Sequence, residues 1–341
     1  MQFGIYSIGE VAVDPVSGRT PTAQERIRAM ITIAQHAEEV GLDVFAIGEH
    51  HDPLFVTSSP TTMLGYLAAC TRRLTLSTAT TLITTNDPVK VAEDFALLQH
   101  LADGRIDLML GRGNTRQVFP WLGHDALDSA ALAAEHHEHY ELLRRLWKEE
   151  VVDWDGRYRR PLRNFTATPR PLDGVPPFVW HGSTSSESAA ELAARHGDGF
   201  FATNTYQPAE HFARIIAIYR QRYADHGHGP AEDAIVGVGG YVFVRRSSRQ
   251  AAEDFRPYFH NSRIMGRGAS LEECVSQTPL MVGSPQQVID KILTLRERYG
   301  HYQRQLLMVD GDGIPLPTVL EQLDILGADV VPVLRREMAA R

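Results

Sequence analysis

Residues 44–52 read VFAIGEHHD, an apolar run that passes through a glycine and ends in four consecutive ionisable residues. A short apolar run that ends in this way is typical of a parallel strand buried on both faces, with a carboxyl end that opens into a loop. A strand that simply reaches solvent has the same pattern. The pattern becomes informative because it recurs: apolar segments that end in polar or glycine-rich residues alternate with segments of helical periodicity along the chain.

This strand–helix alternation counts eight units within the 341 residues. The predicted strands are residues 2–6, 44–48, 74–80, 106–110, 178–180, 199–202, 235–244 and 306–309. Eight units favour an α/β fold of the (β/α)8 TIM-barrel type over an open doubly wound sheet, which the pattern leaves as an alternative. We expect one domain over residues 1–341, with insertions after strands 4 and 7. The first, about residues 151–169, reads as a turn between two short strands; the second, about residues 257–281, reads as an irregular loop or lid.

Composition argues against several classes of function. The net charge of −8 is spread along the chain without a block of one sign, which disfavours nucleic acid or an anionic membrane surface as a partner. No apolar run reaches the ~18 residues needed to cross a bilayer, and the chain does not start with a basic and then apolar leader. Two cysteines, Cys70 and Cys274, form no disulfide framework. Together these features predict a soluble cytoplasmic protein.

In barrels of this type the reacting groups lie at the carboxyl ends of the strands. The predicted strand ends carry Ser7, Glu49, His50, His51, Thr80, Arg112, Asn114, His181, Ser183, Asn204 and Asp310. A single histidine at a strand end suits proton transfer because its ordinary pKa is close to neutrality. Consecutive residues of a strand point to opposite faces, so His50 and His51 are poorly placed to bind one metal ion together. We therefore predict no metal site here; a histidine that is only hydrogen-bonded in the core is the structural alternative.

Gly111, Arg112 and Gly113 directly follow the fourth predicted strand. Glycines let the backbone approach a ligand closely, and a guanidinium group between them suits a phosphate or a carboxylate. Arg116 stands where the dinucleotide-binding fingerprint needs its third glycine, so no nicotinamide-binding motif is present here. An ordinary surface ion pair of Arg112 is the alternative.

Residues 182–187, GSTSSE, follow the fifth predicted strand. Thr184 and Glu187 have the spacing of a capping box, which predicts the start of a helix. The free N–H groups of that first turn, the helix dipole and four hydroxyl groups together suit a phosphate. Plain capping needs only one of the hydroxyls, so the surplus favours a bound anion.

Two further patterns point to ordinary structure. His136, His137 and His139 lie on a helix predicted over residues 129–148 and are expected on its solvated face. Residues 310–313, DGDG, resemble the start of a calcium loop but lack its glutamate at the twelfth position. We interpret this segment as a turn.

The ordered set of motifs resembles the bacterial luciferase-like flavin monooxygenase family. The segments that carry the resemblance are GEHHD, LSTATTLITTNDPVKVAED, LADGRIDLMLGRGN, WHGSTSS and GSPQQVIDKI, which span nearly the whole chain. The segments QFGIYSIGE and SPTTMLGYLAACTRRL look closest to a branch described as FMN-dependent luciferase-like monooxygenases of unassigned substrate. The resemblance implies a barrel in which a flavin lies across the strand ends.

The resemblance also implies roles for particular residues. His50 matches the catalytic histidine of the family, and Glu49 and His51 line the same region. Ala79 and Thr80 match the site of a non-proline cis peptide that cradles the isoalloxazine ring, with Thr80 in place of a smaller residue. Arg112 matches a phosphate-binding arginine, and the serine-rich turn matches a phosphate loop. The full set of implied cofactor-binding residues is Ala79, Thr80, Arg112, Asn114, His181, Gly182, Ser183, Thr184 and Ser185.

The family further implies a reaction and partners. The expected activity is an FMN-dependent monooxygenase in which reduced FMN, supplied by a separate flavin reductase, and dioxygen oxygenate a small organic substrate. The expected assembly is a homodimer through helices 61–72 and 87–101. The alternatives are a deazaflavin-dependent oxidoreductase of the same fold, a non-catalytic flavin-binding barrel, and a metal-dependent barrel hydrolase, which the adjacent histidines disfavour.

Overall fold

The protein folds into a barrel of parallel strands surrounded by helices. The computed structural model describes residues 1–113, 118–122, 128–184, 186–203, 207–265 and 268–339. Within these residues the strands are β1 (Gln2–Ser7), β2 (Val44–Ile47), β3 (Thr75–Thr78), β4 (Thr81–Leu82), β5 (Asp107–Gly111), β6 (Val152–Trp154), β7 (Leu162–Phe165), β8 (Phe178–Ser183), β9 (Gly199–Ala202), β10 (Val236–Val238), β11 (Val242–Val244), β12 (Met281–Gly283) and β13 (Arg304–Met308).

The helices of the described residues follow the strands in the predicted alternation. They are α1 (Ala23–Glu39), α2 (Pro60–Cys70), α3 (Pro88–Leu101), α4 (Val118–Trp121), α5 (Ser129–Lys148), α6 (Glu187–His196), α7 (Ala209–Asp225), α8 (Ser248–Asn261), α9 (Leu271–Gln277), α10 (Pro285–Tyr299), α11 (Leu316–Ile325) and α12 (Val331–Ala339). Short 3-10 segments lie at Leu172–Gly174 and Ala231–Asp233, and a π-helical segment, Leu326–Val330, joins α11 to α12. Over the part of the chain described here, each helix is too short or too polar to traverse a bilayer.

Nine strand segments form one parallel sheet in the order β3-β2-β1-β13-β10-β9-β8-β5-β4. Its two ends meet because β3 and β4 are consecutive in the chain and Leu76 forms a parallel bridge with Ile106, next to β5. The sheet is therefore a nearly closed barrel in which β3 and β4 share one strand position. This confirms the predicted TIM-barrel fold class.

Local sequence signals mark the starts of several helices. At α1, Thr22 Oγ1 accepts a hydrogen bond from the Glu25 backbone N–H (3.2 Å), and the Glu25 carboxylate accepts one from the Thr22 N–H (2.8 Å). At α3, the Asp87 carboxylate caps the Val89 N–H (2.8 Å). Ser284 heads a second capping box at α10. Each side chain satisfies a backbone donor that the helix itself leaves open.

The amino end of the barrel is filled by a buried ion pair. Arg304 and Asp107 lie 2.6 Å apart in the lumen, and the Arg304 guanidinium stacks on the Trp180 ring at 4.7 Å. The Phe201 ring packs against Trp180 with the centroids 6.2 Å apart. Because a buried charge is tolerated only when it is paired, these side chains form a fixed plug. The opposite end, formed by the carboxyl ends of the strands, is here called the mouth.

Two predicted strands are divided in the structure. The segment 74–80 is interrupted after β3 by a cis peptide bond between Ala79 and Thr80, and β4 follows. The segment 235–244 is two strands, because Gly239 and Gly240 break the apolar run; β11 leaves the barrel sheet and pairs with β12. Glycine in a strand pattern often marks such a break, and here it redirects the chain.

The two insertions have different outcomes. The hairpin predicted in residues 151–169 is present, because β6 and β7 pair antiparallel. The irregular loop predicted for residues 257–281 is wrong: Pro257 lies inside α8, α9 occupies most of the segment's second half, and β12 begins at Met281. Proline normally ends a helix, but α8 buries an aromatic face that outweighs the lost hydrogen bond. That face is Ala251, Phe255, Tyr258 and Phe259.

Candidate active site

Side chains at the mouth divide between the lumen and the surrounding helices. Gly111 and Gly182 face the lumen: a Cβ on Gly111 would collide with the Thr80 hydroxyl, and one on Gly182 would lie 2.9 Å from both Thr80 Cγ2 and Met109 Sδ. Because strand residues alternate in direction, the neighbours of these glycines face outward. These outward residues are Arg112, His181 and Ser183. The candidate site therefore has a lumen part and a helix-facing part.

Glu49 is buried and its carboxylate is fully engaged. Its Oε2 accepts a hydrogen bond from the Leu82 N–H (3.0 Å), and its Oε1 accepts one from Asn86 Nδ2 (2.8 Å) and lies 2.9 Å from His51 Nε2. The Glu49 N–H donates to the Thr80 carbonyl (3.1 Å). These contacts hold the segment that follows the cis bond against the end of β2, which fits a positioning role better than proton transfer.

His50 lies at the mouth and is half-buried. Its ring stacks on Phe55 with the centroids 4.3 Å apart and an interplanar angle of 21°. Burial, together with the nearby His51, lowers the pKa of His50 to about 4, and Asp52 offsets part of this effect. No side chain or backbone group in the described ranges hydrogen-bonds to its ring nitrogens. The imidazole is therefore neutral at pH 7 and able to accept a proton.

The cis bond between Ala79 and Thr80 stands where the family resemblance placed it. The preceding Thr78 is tied to β5 by two hydrogen bonds of 3.0 Å, one from the Met109 N–H to Thr78 Oγ1 and one from Thr78 Oγ1 to the Met109 carbonyl. The Ala79 N–H donates to the Ile47 carbonyl (2.8 Å). Both neighbouring strands therefore fix this part of the mouth.

Arg112 is half-buried on the helix-facing side of β5. Its carbonyl accepts a hydrogen bond from Thr84 Oγ1 (2.7 Å). Burial lowers the pKa of the Arg112 guanidinium, whose charge in turn helps to lower the pKa of His136 and of His137 on α5. A cation that loses hydration in this way gains more from an anionic ligand than an exposed one does.

The α5 histidines do not lie on a solvated face, so that prediction is wrong. His136 and His139 are buried, and His137 is half-buried. Burial is the largest cause that keeps the pKa of His136 well below its ordinary value. His139 Nδ1 lies 2.9 Å from the Ile83 carbonyl. Helical periodicity shows which residues share a face, but it does not show that this face packs on the polar ends of strands.

His181 is fully buried and its ring faces α5 instead of the lumen. Its Nε2 lies 3.2 Å from Asp198 Oδ2, the same carboxylate oxygen that accepts the Tyr140 hydroxyl. The Tyr140 ring meets the imidazole edge-on at 4.6 Å. His181 Nδ1 and His136 Nε2 are both buried without a hydrogen-bond partner in the described part of the chain, and the two ring centroids are 6.0 Å apart.

The turn before α6 differs from its prediction. The helix begins at Glu187 with Ser186 at the N-cap, so the capping box between Thr184 and Glu187 is wrong. Ser183 Oγ instead accepts a hydrogen bond from the Ser186 N–H (2.7 Å), and Ser186 supplies no side-chain cap. An uncapped first turn leaves N–H donors that an anion can use. Three predicted strand-end or phosphate-turn residues lie outside the described residues: Asn114, Ser185 and Asn204.

The strand ends at β1 and β13 have a structural role. Ser7 Oγ donates to Asp310 Oδ2 (2.6 Å), and Arg26 of α1 pairs with the same oxygen at 2.5 Å. All three side chains are buried. This network ties α1 to the barrel at the side of the mouth opposite β5 and β8. The DGDG segment forms the predicted turn, with Asp312 at a φ of 58°.

The profile of the luciferase-like monooxygenase family matches residues 1–302 of the chain. The chain belongs to this family. The N-acetyl-S-alkylcysteine monooxygenase of Bacillus subtilis is 34% identical to this chain over 309 residues, which cover 83% of this chain and 86% of that protein.

Solved structures with the same barrel use two kinds of cofactor. The oxygenating constituent of 3,6-diketocamphane monooxygenase from Pseudomonas putida, in complex with FMN, matches this chain with a TM-score of 0.79 at 19% identity, covering 97% of this chain and 98% of that one. An F420-dependent secondary alcohol dehydrogenase in complex with an F420–acetone adduct matches with a TM-score of 0.75 at 18% identity, covering 98% and 99%. At these identities the likeness shows the fold alone.

Sequence reasoning missed three residues of the helix-facing part: His136, Tyr140 and Asp198. His136 and Tyr140 are four residues apart on α5, so they share a face and a helical-wheel reading could have paired them. Asp198 directly precedes β9 and gives no signal of its own, because its partner His181 lies on a different strand.

Proposed function

We propose that this protein is an FMN-dependent monooxygenase that uses reduced FMN and dioxygen to oxygenate a small organic substrate. The observation that carries the proposal is the pairing of two environments at one end of the barrel. One environment is the mouth, where Gly111 and Gly182 lie beneath Thr80 and a neutral His50 lies at the edge. The other is the adjoining helix-facing layer, which contains Arg112. A flavin mononucleotide needs a surface for its ring and a cation for its phosphate, and Thr80 and Arg112 lie at neighbouring strands of the sheet, beside β4 and β5.

The ring end of the proposed site is the segment of Ala79 and Thr80. Bonds to β2, β5 and Glu49 fix this segment, and Gly111 and Gly182 keep side chains away from the lumen beneath it. Bound reduced FMN supplies the electrons for oxygen activation. The residues of the chain hold the ring in place and keep it within reach of His50.

The phosphate end of the proposed site is Arg112 with the turn at Ser183 and Thr184. Arg112 supplies a partly desolvated charge, and the uncapped first turn of α6 supplies backbone N–H donors. His181 is assigned a supporting role behind this end, because its ring points at α5. Asn114 and Ser185 stay in the proposal as predicted contacts outside the described residues.

We assign His50 the proton-accepting role and Glu49 and His51 positioning roles. The stacking of His50 on Phe55 fixes the plane of the ring, and its low pKa keeps it unprotonated at neutral pH. A residue within reach of the substrate that is neutral at working pH can act as a general base. In a His50→Gln variant, FMN affinity should persist while substrate-dependent oxygen consumption is lost.

Titration of the purified protein with FMN, riboflavin and a deazaflavin tests the cofactor. We expect saturable quenching of flavin fluorescence, tighter binding of FMN than of riboflavin, and consumption of dioxygen once reduced FMN and a substrate are supplied. N-acetyl-S-alkylcysteines are the first substrates to assay, because the Bacillus subtilis relative carries that name. Failure to bind FMN would contradict the proposal.

A deazaflavin-dependent oxidoreductase is the second candidate, favoured by the shared fold of the F420-dependent secondary alcohol dehydrogenase. In that case the protein would bind the deazaflavin in preference to FMN and would reduce or oxidise its substrate without oxygen. Anaerobic turnover separates the two candidates. Flavin binding without turnover of either kind would indicate a non-catalytic binding barrel.

We also propose a homodimer through α2 and α3. These helices expose Tyr66, Leu97 and Leu101, which are 51%, 48% and 55% accessible. A groove of about 510 Å³ runs between the two helices and reaches Glu49. A second copy of the chain would cover this apolar surface. A separate flavin reductase as the source of reduced FMN, and a cytoplasmic location, complete the proposal.

A further inference from the structure

We propose that His136 and His181 form a buried imidazole pair that takes up one proton from solvent when a phosphate monoester binds beside Arg112. The inference rests on the proposed function, because it places the FMN phosphate at that end of the site. It adds a linkage between cofactor binding and protonation, and it assigns this linkage to residues of α5 and β8.

The geometry that carries the inference is a pair of unused nitrogen atoms. His181 Nδ1 and His136 Nε2 are buried without a hydrogen-bond partner among the residues described, and their rings lie 6.0 Å apart. Buried polar atoms in native proteins are almost always paired, so two unpaired nitrogens in one layer call for an explanation. Arg112, on the adjoining strand end, is close enough to act electrostatically on His136.

Asp198 determines which nitrogen of His181 is available. The Asp198 carboxylate lies 3.2 Å from His181 Nε2, and Tyr140 donates to the same oxygen, which fixes the carboxylate in place. A carboxylate in this position keeps the ring proton of the neutral imidazole on Nε2. Nδ1 therefore presents a lone pair toward the α5 side, where a proton can be accepted.

The positive charges around His136 oppose its protonation until an anion arrives. His136 is faced by Arg112 from β5, by His181 from β8, and by His137 and His139 from its own helix, and each of these lowers its pKa in addition to burial. Arg144 and His196 lie on the Asp198 side of His181. A phosphate dianion at Arg112 would offset these positive charges at low dielectric.

The proton balance is simple. One proton moves from the buffer to an imidazole nitrogen, so a neutral ring becomes an imidazolium, and no other bond changes. Because the two rings are close, the proton belongs to the pair and not to one residue. The imidazolium then supplies an N–H donor to the phosphate end of the site.

Isothermal titration calorimetry measures this uptake directly. Near pH 7.5 the phosphate of free FMN is a dianion, since its second pKa is about 6. The enthalpy of FMN binding is measured in buffers of different ionisation enthalpy, and its slope gives the number of protons taken up. We expect an uptake of more than half a proton with FMN and none with riboflavin.

Two variants test where the proton binds, and a third variant serves as a matched control. His136→Asn and Asp198→Asn should each remove most of the uptake and weaken FMN binding about five- to tenfold, with riboflavin binding unchanged. His139→Asn also removes a buried histidine of α5, but one bonded to the Ile83 carbonyl, and it should keep the uptake. Thermal unfolding of each variant confirms that it is folded.

The outcomes separate this inference from the function on which it rests. Tight FMN binding that depends on Arg112 but shows no proton uptake overturns the inference and leaves the proposed function intact. Equal proton uptake in the wild type and in the His136→Asn and Asp198→Asn variants also overturns the inference. Absence of FMN binding overturns the proposed function and the inference together.

Discussion

His50 shows how a local environment sets the chemistry of a single residue. A histidine at a strand end would ordinarily be half-protonated near pH 6.5, but burial at the mouth, together with the nearby His51, lowers the pKa of His50 to about 4. The residue is therefore a base across the whole neutral range. In the proposed function, His50 would therefore accept a proton before it could donate one.

The same pKa predicts how stability depends on pH. The unfolded chain binds a proton at His50 near pH 6.5, whereas the folded chain does so only near pH 4. Acidification between these values therefore favours the unfolded state, and at pH 4 the loss from His50 reaches about 3 kcal/mol. Urea unfolding at pH 7 and pH 4.5 should show a smaller difference for His50→Gln than for wild type. An identical pH dependence of the two proteins would contradict the assigned environment.

Glu49 links the segment after the cis bond to the end of β2. Its carboxylate satisfies the Leu82 N–H and the Asn86 amide and contacts His51, so Glu49→Gln turns one acceptor into a donor that faces other donors. We expect a loss of about 1–3 kcal/mol in unfolding free energy and weaker FMN binding. Chemical denaturation and flavin titration measure the two effects. Asp52→Asn in the same loop is the control and should change both quantities little; equal effects would argue against the positioning role.

At the scale of helices and strands, α5 and α6 build the proposed phosphate end together with Arg112. Arg112→Ala should weaken FMN binding about 10- to 100-fold, as expected for loss of a charge-assisted hydrogen bond, and leave riboflavin binding within about twofold. Arg195→Ala removes an exposed arginine of α6 and serves as the control. Equal losses for FMN and riboflavin would show that Arg112 supports the fold and not the phosphate.

The elements also show what the sequence alone could and could not predict. Helix starts such as Thr22 and Asp87 were predictable because capping depends on neighbouring residues. The start of α6 was not, because Thr184 was expected to cap the Glu187 N–H, whereas the helix begins at Glu187 and Ser183 Oγ accepts from the Ser186 N–H. The prediction of a loop at Pro257 failed for a related reason. Proline normally ends a helix, but α8 continues through Pro257 because its aromatic face packs against the rest of the protein, and only the tertiary structure reveals this packing.

At the scale of the whole molecule, the barrel was predictable from the alternation of strands and helices, and its closure followed from their number. The division of the strand ends into lumen-facing and helix-facing sets was not. It depends on the register between β5 and β8, in which Leu110 pairs with His181, and register is a long-range property. This is why His181 was predicted as a direct cofactor contact while the structure turns its ring toward α5.

The proposed dimer can be tested on the intact protein. A Leu97→Glu, Leu101→Glu double variant places charges on the exposed apolar face of α3 and should convert a dimer into a monomer of unchanged fold. Sedimentation velocity measures the mass and circular dichroism checks the fold. Val16→Glu, at a 67% exposed position on a distant loop, is the control. A wild-type monomer, or a double variant that stays dimeric, would contradict the proposed interface.

The plug of Arg304, Asp107 and Trp180 closes the amino end of the barrel. A ligand at the mouth would therefore enter and leave at the carboxyl ends of the strands, where His50 lies. For the proposed function this gives an order of binding: the nucleotide would bind first, the organic substrate would bind above it, and the oxygenated product would leave before the nucleotide is exchanged.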